Sequence, residues 1–242
     1  MNRIQFFAVV TALLMFQAAS MLTQAAVVQA DGVWYELDEQ KHTAVVTFND
    51  ALRREGLPTY GEAVAIDIPA SVKHNGRSYK VIAVGDSAFC GAQVTAVTLP
   101  NSVTSIGICA FADCSHLKRV TLGKKVTLIG DSAFARCIRL ESFVIPTPVT
   151  TIGAGAFKQC KAIRNMEIAE TVKRIGDEAF AECKSLTAIL FLMKTPPALG
   201  NDVFRNTAGK GNYQYINVPC GAGGSYKSAW KEHKGAVREL CE

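Results

Sequence analysis

One string returns along this chain at a near-constant interval: Val-x-x-Ile-Gly-x-x-Ala-Phe-x-x-Cys-x-x-Leu-x-x-Val-x-Leu. Its fullest copy runs Val103, Ile106, Gly107, Ala110, Phe111, Cys114, Leu117, Val120, Leu122. Copies follow from Val126, Val149 and Val172, an earlier one starts at Val81, and a worn one survives at Leu199, Gly200, Val203 and Phe204. The Phe positions are 89, 111, 134, 157, 180 and 204, at intervals of 22 to 24 residues. A unit of ~23 residues cannot bury its apolar side alone, so the chain is constrained to stacked, equivalent coils that share one core.

Each part of the period has a local reading. Leu-x-x-Val-x-Leu alternates in and out like a short strand, and equivalent strands one period apart pair in parallel at ~4.8 Å. Val-x-x-Ile returns the chain along a second side. The Gly after it is expected to supply a positive φ at the corner. Asp86, Asp131 and Asp177 follow that Gly and read as N-caps of a one-turn helix carrying Ala and Phe. Phe89, Phe111, Phe134, Phe157 and Phe180 then fill the centre of the coil. Before the repeat, Val33–Tyr35, Thr43–Phe48, Ala63–Ile68 and Tyr79–Val84 read as strands, with Asn75-Gly76 as a hairpin turn. After it, a Gly-rich loop leads to an expected helix over Ser225–Leu240.

These motifs closely resemble the BspA-like leucine-rich repeat family of bacterial surface and secreted proteins, over about residues 60 to 230. Ile129-Gly-Asp-Ser-Ala-Phe134 and Val97-Thr-Leu-Pro100 carry the resemblance. Tyr79–Phe89 is similar to the family's first repeat, and Ile216–Pro219 with Tyr226, Lys227 and Trp230 to its closing segment. The expected fold is an α/β-type solenoid, a leucine-rich repeat of about six rungs with a parallel β-sheet on the concave side. Its expected divisions are a signal peptide (1–30), an N-terminal β cap (31–80), the solenoid (81–204) and a C-terminal cap (205–242). The resemblance implies an exported binding or adhesion protein whose partner is a host or neighbouring-cell protein or other macromolecule. No additional domain, lipid-attachment Cys or sorting tail is evident, so surface, periplasmic and released destinations all stay open.

The first thirty residues fit export. Arg3 precedes an apolar run from Phe6 to Phe16, and small residues follow, with candidate cuts near Ala25 to Ala30. An uncleaved anchor is the competing reading, since Ile4–Met21 approaches the ~20 residues of a spanning helix; Gln5, Thr11, Gln17 and Ser20 count against it. No later apolar run is long enough to span a bilayer. The net charge of +5 is modest, and Lys and Arg are interspersed with acids, so a nucleic-acid partner is not expected.

The eight Cys divide by register. Cys114, Cys137, Cys160 and Cys183 each stand three residues after a Phe and read as a column of buried thiols, with pairwise disulfides or metal ligation as rivals. A column does not gather tetrahedral ligands, so no metal or other cofactor is expected. Cys220 and Cys241 bracket the terminal segment and are expected to form a disulfide, as export would allow. Cys90 and Cys109 lie on neighbouring rungs, and whether they pair stays open.

No catalytic constellation emerges. Gly221–Ser225 and Ala208–Gly211 are Gly-rich but lack the context of nucleotide loops. His42, His74, His116 and His233 share no ligand or triad spacing. The reading is a binding module and not an enzyme; self-association in the envelope is the runner-up and carbohydrate binding a distant third. Alternation along the strands places two outward columns on the sheet: Ala96, Arg119, Ser142, Asn165, Ala188, and Thr98, Thr121, Val144, Glu167, Leu190. This face is the first binding candidate. The Thr104, Thr127, Thr150 column with Ser105, Leu128 and Thr151 is the second, or else a hydroxyl ladder. The irregular stretch Phe191–Tyr215 is the third.

Overall fold

The computed structural model describes residues 25–48, 64–207 and 215–241. Strands β1 (Ala26–Ala30), β2 (Val33–Asp38) and β3 (Thr43–Thr47) form an antiparallel meander. After β4 (Ala65–Asp67) comes a hairpin of β5 (Ser71–His74) and β6 (Arg77–Val84). Its turn residues Asn75 and Gly76 have φ of 47° and 76°, the double positive that a type I′ turn requires. The sequence reading places residues 26–30 in the leader, yet here they pair with Val33–Leu37 of β2. A cut after Ala30 would remove that strand, whereas a cut after Ala25 would spare it.

From here the chain coils as a parallel β-solenoid of about seven turns. In order come β7 (Ala96–Thr98), β8 (Ser105–Ile106), β9 (Arg119–Thr121), β10 (Leu128–Ile129), β11 (Phe143–Ile145) and β12 (Thr151–Ile152). Next are β13 (Asn165–Ile168), β14 (Arg174–Ile175), β15 (Ala188–Phe191), β16 (Ala198–Leu199) and β17 (Tyr215–Pro219). Odd-numbered strands from β7 onward make one side, in two stretches ordered β4-β7-β9 and β11-β13-β15-β17-β18, the last being β18 (Val237–Leu240). Even-numbered strands from β8 to β16 make the return side. β3 pairs in parallel with β6 and β6 with β8, which joins the meander to that side as one sheet.

The third side differs from the sequence expectation. The segment around each Phe is a run of turns and not a one-turn helix. Residues two before and two after every Phe, such as Ser87 and Gly91 around Phe89 or Ser132 and Arg136 around Phe134, have φ between 53° and 73°. Such residues cannot continue a right-handed helix. Their N–H groups reach the next rung instead. Phe89, Phe111, Phe134 and Phe157 donate to Ala110, Ala133, Ala156 and Ala179 carbonyls at 2.7–2.8 Å, and flanking residues repeat the pattern. Successive rungs are therefore hydrogen-bonded on all three sides. Each left-handed non-Gly residue costs on the order of 1 kcal/mol, and the ladder bonds offset it.

Two further expectations need correction here. Asp86, Asp131 and Asp177 do not cap helices: their Oδ1 atoms accept from the N–H of Ile108, Ala154 and Asn201 on the next rung, each at 2.7 Å. The repeat Gly does not take a positive φ either. Its demand is steric. A Cβ on Gly130 would sit 2.7 Å from the Gly107 carbonyl carbon, and one on Gly153 would sit 2.4 Å from Asp131 Oδ1. The backbones pass too closely there for any side chain.

The core is a column of Phe rings. Centroids of Phe89, Phe111, Phe134, Phe157, Phe180 and Phe204 are 5.0, 5.1, 5.4, 5.6 and 5.8 Å apart in turn, with rings within 16° of parallel. Phe143 enters edge-on between Phe134 and Phe157, at 4.9 and 4.8 Å. Beside this column, Cys114, Cys137, Cys160 and Cys183 are buried free thiols. Each S–H donates to the carbonyl of a Phe on the preceding rung at 2.9–3.1 Å. Burial pushes the thiols of Cys137 and Cys160 well above their ordinary range and that of Cys183 up to about 12. A group that stays protonated is neither a nucleophile nor a metal ligand at neutral pH.

The C-terminal helix expected over Ser225–Leu240 is shorter. Helix α1 spans Gly223–Ala229, a single 3-10 turn covers Lys231–His233, and β18 follows. Extended backbone lets Val237 bury itself while β18 pairs with β17 from Ile216↔Val237 to Pro219↔Leu240. α1 lays Tyr226 and Trp230 against Phe191 and fixes them through bonds to the Met193 and Pro197 carbonyls. Cys220 and Cys241 are disulfide-bonded, with Cα atoms 4.8 Å apart. Helix is thus a minor component among the described residues, and none of it is long and apolar enough to cross a membrane.

Candidate binding surface

The odd-numbered strands decide which predicted residues share a surface. Pairing places Ala65, Ala96 and Arg119 side by side, and likewise Asp67, Thr98 and Thr121. In the second stretch, Val144, Glu167, Leu190, Asn217 and Arg238 form one row across five strands. Asn165, Ala188 and Tyr215 form the row beside it. Ser142 is exposed but lies just outside β11, where the strand ladder is interrupted between β9 and β11. The two predicted columns are therefore brought together in two groups, rungs near β9 and rungs from β11 onward. Their alternate residues Val97, Phe143, Met166 and Ile189 point inward and are buried.

Val144, on the edge strand β11 of its stretch, is 59% exposed, which is high for an apolar side chain. Leu190 is half-buried two strands away, and Glu167 stands between them. Extending the register past the period adds residues that repeat reading alone did not supply. Arg238 lies over the Tyr215 ring at 4.1 Å from its centroid. Pro219 and Leu240 pair in a further row, and Leu240 and Leu192, the latter just past β15, are exposed. The signal for β17 was the alternation Tyr215-Ile-Asn-Val-Pro219. β18 had none, because Val237-Arg-Glu-Leu240 is short and carries two adjacent charges, without the apolar alternation of a strand.

The second candidate surface resolves into bonds between rungs. Thr104, Thr127 and Thr150 Oγ1 atoms donate to the carbonyls of Ile82, Thr104 and Thr127 at 3.1–3.2 Å. Those hydroxyls are occupied, while Ser105, Leu128 and Thr151 pair beside them on the return sheet. Of the third candidate, Phe191–Tyr215, residues 208–214 lie outside the described residues. Within the rest, Phe204 is a buried member of the ring column and not a surface group.

Around the other cysteines the surface is polar. Cys90 and Cys109 are half-buried next to the Arg136 guanidinium, which forms a bidentate pair with Asp113. That hydrogen-bonded pair holds the Asp113 carboxyl below its ordinary range. Near the terminus, Glu239 accepts from Gly221 and Gly223 N–H at 2.9 and 2.8 Å, which lowers its carboxyl likewise. Cys220, Glu239 and Cys241 are close enough to suggest ligands, but both sulfurs are spent in the disulfide. No enzymatic family is indicated by these groupings or by the comparisons that follow.

The model of the BspA type leucine rich repeat region matches residues 82–209 in six copies, more than half of the chain. The chain belongs to the BspA-type leucine-rich repeat family. No curated protein matches the sequence. Among solved structures, a leucine-rich repeat protein from Bacteroides capillosus is 35% identical, covering 51% of this chain and 84% of its own, at a TM-score of 0.44. The T. pallidum leucine-rich repeat protein shares the fold at a TM-score of 0.59 and 23% identity, over 79% of this chain and 86% of its own. The pneumococcal vaccine antigen PcpA gives 0.63 and 21% identity over 82% of this chain, which spans about half of PcpA (51%). BspA-type repeats account for the ring column and the sheet, while the meander β1–β3 lies ahead of the matched region.

Proposed function

We propose that this chain is a non-catalytic, extracytoplasmic protein-binding or adhesion module that docks a macromolecular partner on the outward rows of its odd-numbered strands. The single observation that supports this most is Val144, held 59% exposed on the edge strand β11, with Leu190 two strands away on β15 and exposed Leu192 just past it. Isolated apolar exposure is ordinary, but apolar side chains exposed together with charged ones on one face of a rigid sheet suit a protein contact surface. Export rests on the leader-like first 25 residues, with removal proposed at Ala25 because β1 begins at Ala26.

The test is capture by the purified protein from surface extracts of bacterial and host cells. The wild-type chain retains a defined protein, and the Val144→Glu, Leu190→Lys double variant loses it with unchanged circular dichroism. Retention that survives the double variant would overturn the sheet-face assignment. A self-associating envelope protein is the second reading, favoured by the same exposed Val144 and Leu192 facing a copy of the chain. Light scattering separates the two: a stable oligomer abolished by Leu190→Lys supports self-association.

A further inference from the structure

The chain carries 26 Lys and Arg against 21 Asp and Glu, and in sequence these look evenly mixed. The coil redistributes them. Lys118, Arg119, Arg139, Lys161, Arg164 and Lys184 all fall on the corner where the Phe side turns into the odd-numbered strands, on four consecutive rungs. All six are exposed. Glu141 is the one acid among them, so this strip accounts for the whole net charge of +5 and the remainder of the chain is balanced.

Register shows why they gather. Lys118, Glu141, Arg164 and Thr187 occupy equivalent places one period apart, as Glu141 N→Lys118 O and Thr187 N→Arg164 O bonds demonstrate. Ile138, Lys161 and Lys184 are another equivalent set. Between the two sets run Leu117, Leu140, Ile163 and Leu186, buried and anchoring the corner. Elsewhere on the third side, cations are neutralised across rungs: Arg136 by Asp113, Lys158 by Glu178 at 2.6 Å, and Arg205 by Glu178. None of the six strip cations has an ion-pair partner among the described residues. Like charges stacked at rung spacing repel, and that cost stands without internal compensation.

We propose that this strip is a docking track for an extended acidic peptide segment of a partner protein, running along the solenoid axis. It deepens the macromolecule-binding reading and rests on it. From Lys118 to Lys184 is three rung steps, about 15 Å, which about five residues of extended chain would span. The strip contains no Phe, Tyr or Trp, so it offers no stacking platform for nucleobases. Ile138, 42% exposed, lies in the same column as Lys161 and Lys184. An acidic peptide supplies apolar side chains to meet it, and a sulfated sugar chain does not. A shallow recess lined by Glu141, Ala162, Arg164 and Ser185 opens between the cations and gives one side chain a seat.

The experiment is fluorescence anisotropy with the full-length purified protein and a labelled peptide of about twelve residues repeating Glu-Glu-Leu. The expected result is saturable binding that weakens by about tenfold or more between about 50 and 200 mM salt. Lys161→Glu with Lys184→Glu abolishes it. Lys231→Glu with Lys234→Glu, two exposed residues outside the strip, lowers the net charge equally and leaves it within about twofold. Equal loss in both variants would mean bulk charge and overturn the track, as would no binding by the wild type. Binding of a heparin-derived oligosaccharide without binding of the peptide would replace it with a polysaccharide site. Failure here leaves capture through Val144 and Leu190 intact, so the two readings fail separately.

Discussion

Gly130→Ala isolates the constraint that the structure assigns to the repeat glycine. The φ of Gly130 is not positive, so Ala can adopt the backbone without strain and would even gain ~0.5–1 kcal/mol from a less free unfolded chain. Against this, the new Cβ meets Gly107 C at 2.7 Å, Gly107 O at 2.8 Å and Ile106 O at 2.9 Å. Ordinary contact needs the rungs to part by roughly 0.6 Å, and dispersion across the gap falls off over that distance. Overpacking of this kind costs ~1–3 kcal/mol, and weakening the Gly130 N→Ile106 O bond of 2.9 Å adds ~1 kcal/mol. The net loss is about 2–3 kcal/mol, a large share of a typical domain's stability. Gly32→Ala is the contrast: φ is +78° with nothing within 4 Å, so only conformational strain of ~1 kcal/mol applies. Guanidinium unfolding followed by far-UV circular dichroism measures both. If Gly130→Ala costs no more than Gly32→Ala, the steric account is wrong.

Two other outcomes follow from the core. Phe134→Ala, which removes a ring with stacked neighbours on both sides and Phe143 at its edge, costs about 4–5 kcal/mol; Phe204→Ala, with one stacked neighbour, costs about 3. Denaturant titrations that give equal losses would contradict a shared ring column. The raised thiols of Cys137, Cys160 and Cys183 set an alkaline limit. Folded pKa values above the unfolded ones mean this contribution is intact below pH ~9 and lost as pH rises, by up to ~1.4 kcal/mol per unit for each thiol. Melting temperature should therefore fall from pH ~8 to 10, and Cys183→Ala should flatten the fall.

What the sequence could state was whatever repeated. Equivalent positions such as Phe111, Phe134 and Phe157 report one environment sampled several times, so the ring column and the outward rows were readable. The turns around each Phe were not, because Ala-Phe preceded by Asp and Ser is the composition of a helix start as much as of a left-handed turn. Asp131 illustrates the difficulty: its carboxylate binds an amide 23 positions away, and local propensity says nothing about that. The repeat Gly misled similarly, since glycine serves close approach as well as positive φ. The C-terminal strand β18 was hidden because Val237 becomes buried only once β17 is beside it. The strip of cations was invisible in linear order and appears only when positions one period apart become neighbours.

The aspartate ties skip alternate coils. Asp86, Asp131 and Asp177 each hold the amide of Ile108, Ala154 or Asn201, and none of those three recipients bears a charge. The molecule's true translational unit is thus a doublet of coils, one giving a carboxylate and the next taking it. Excising a single coil would stack Asp86 directly beneath Asp131, two anions at one strand spacing, whereas excising a doublet would restore the alternation. Growth or shrinkage of this protein by gene duplication is expected to proceed in steps of two.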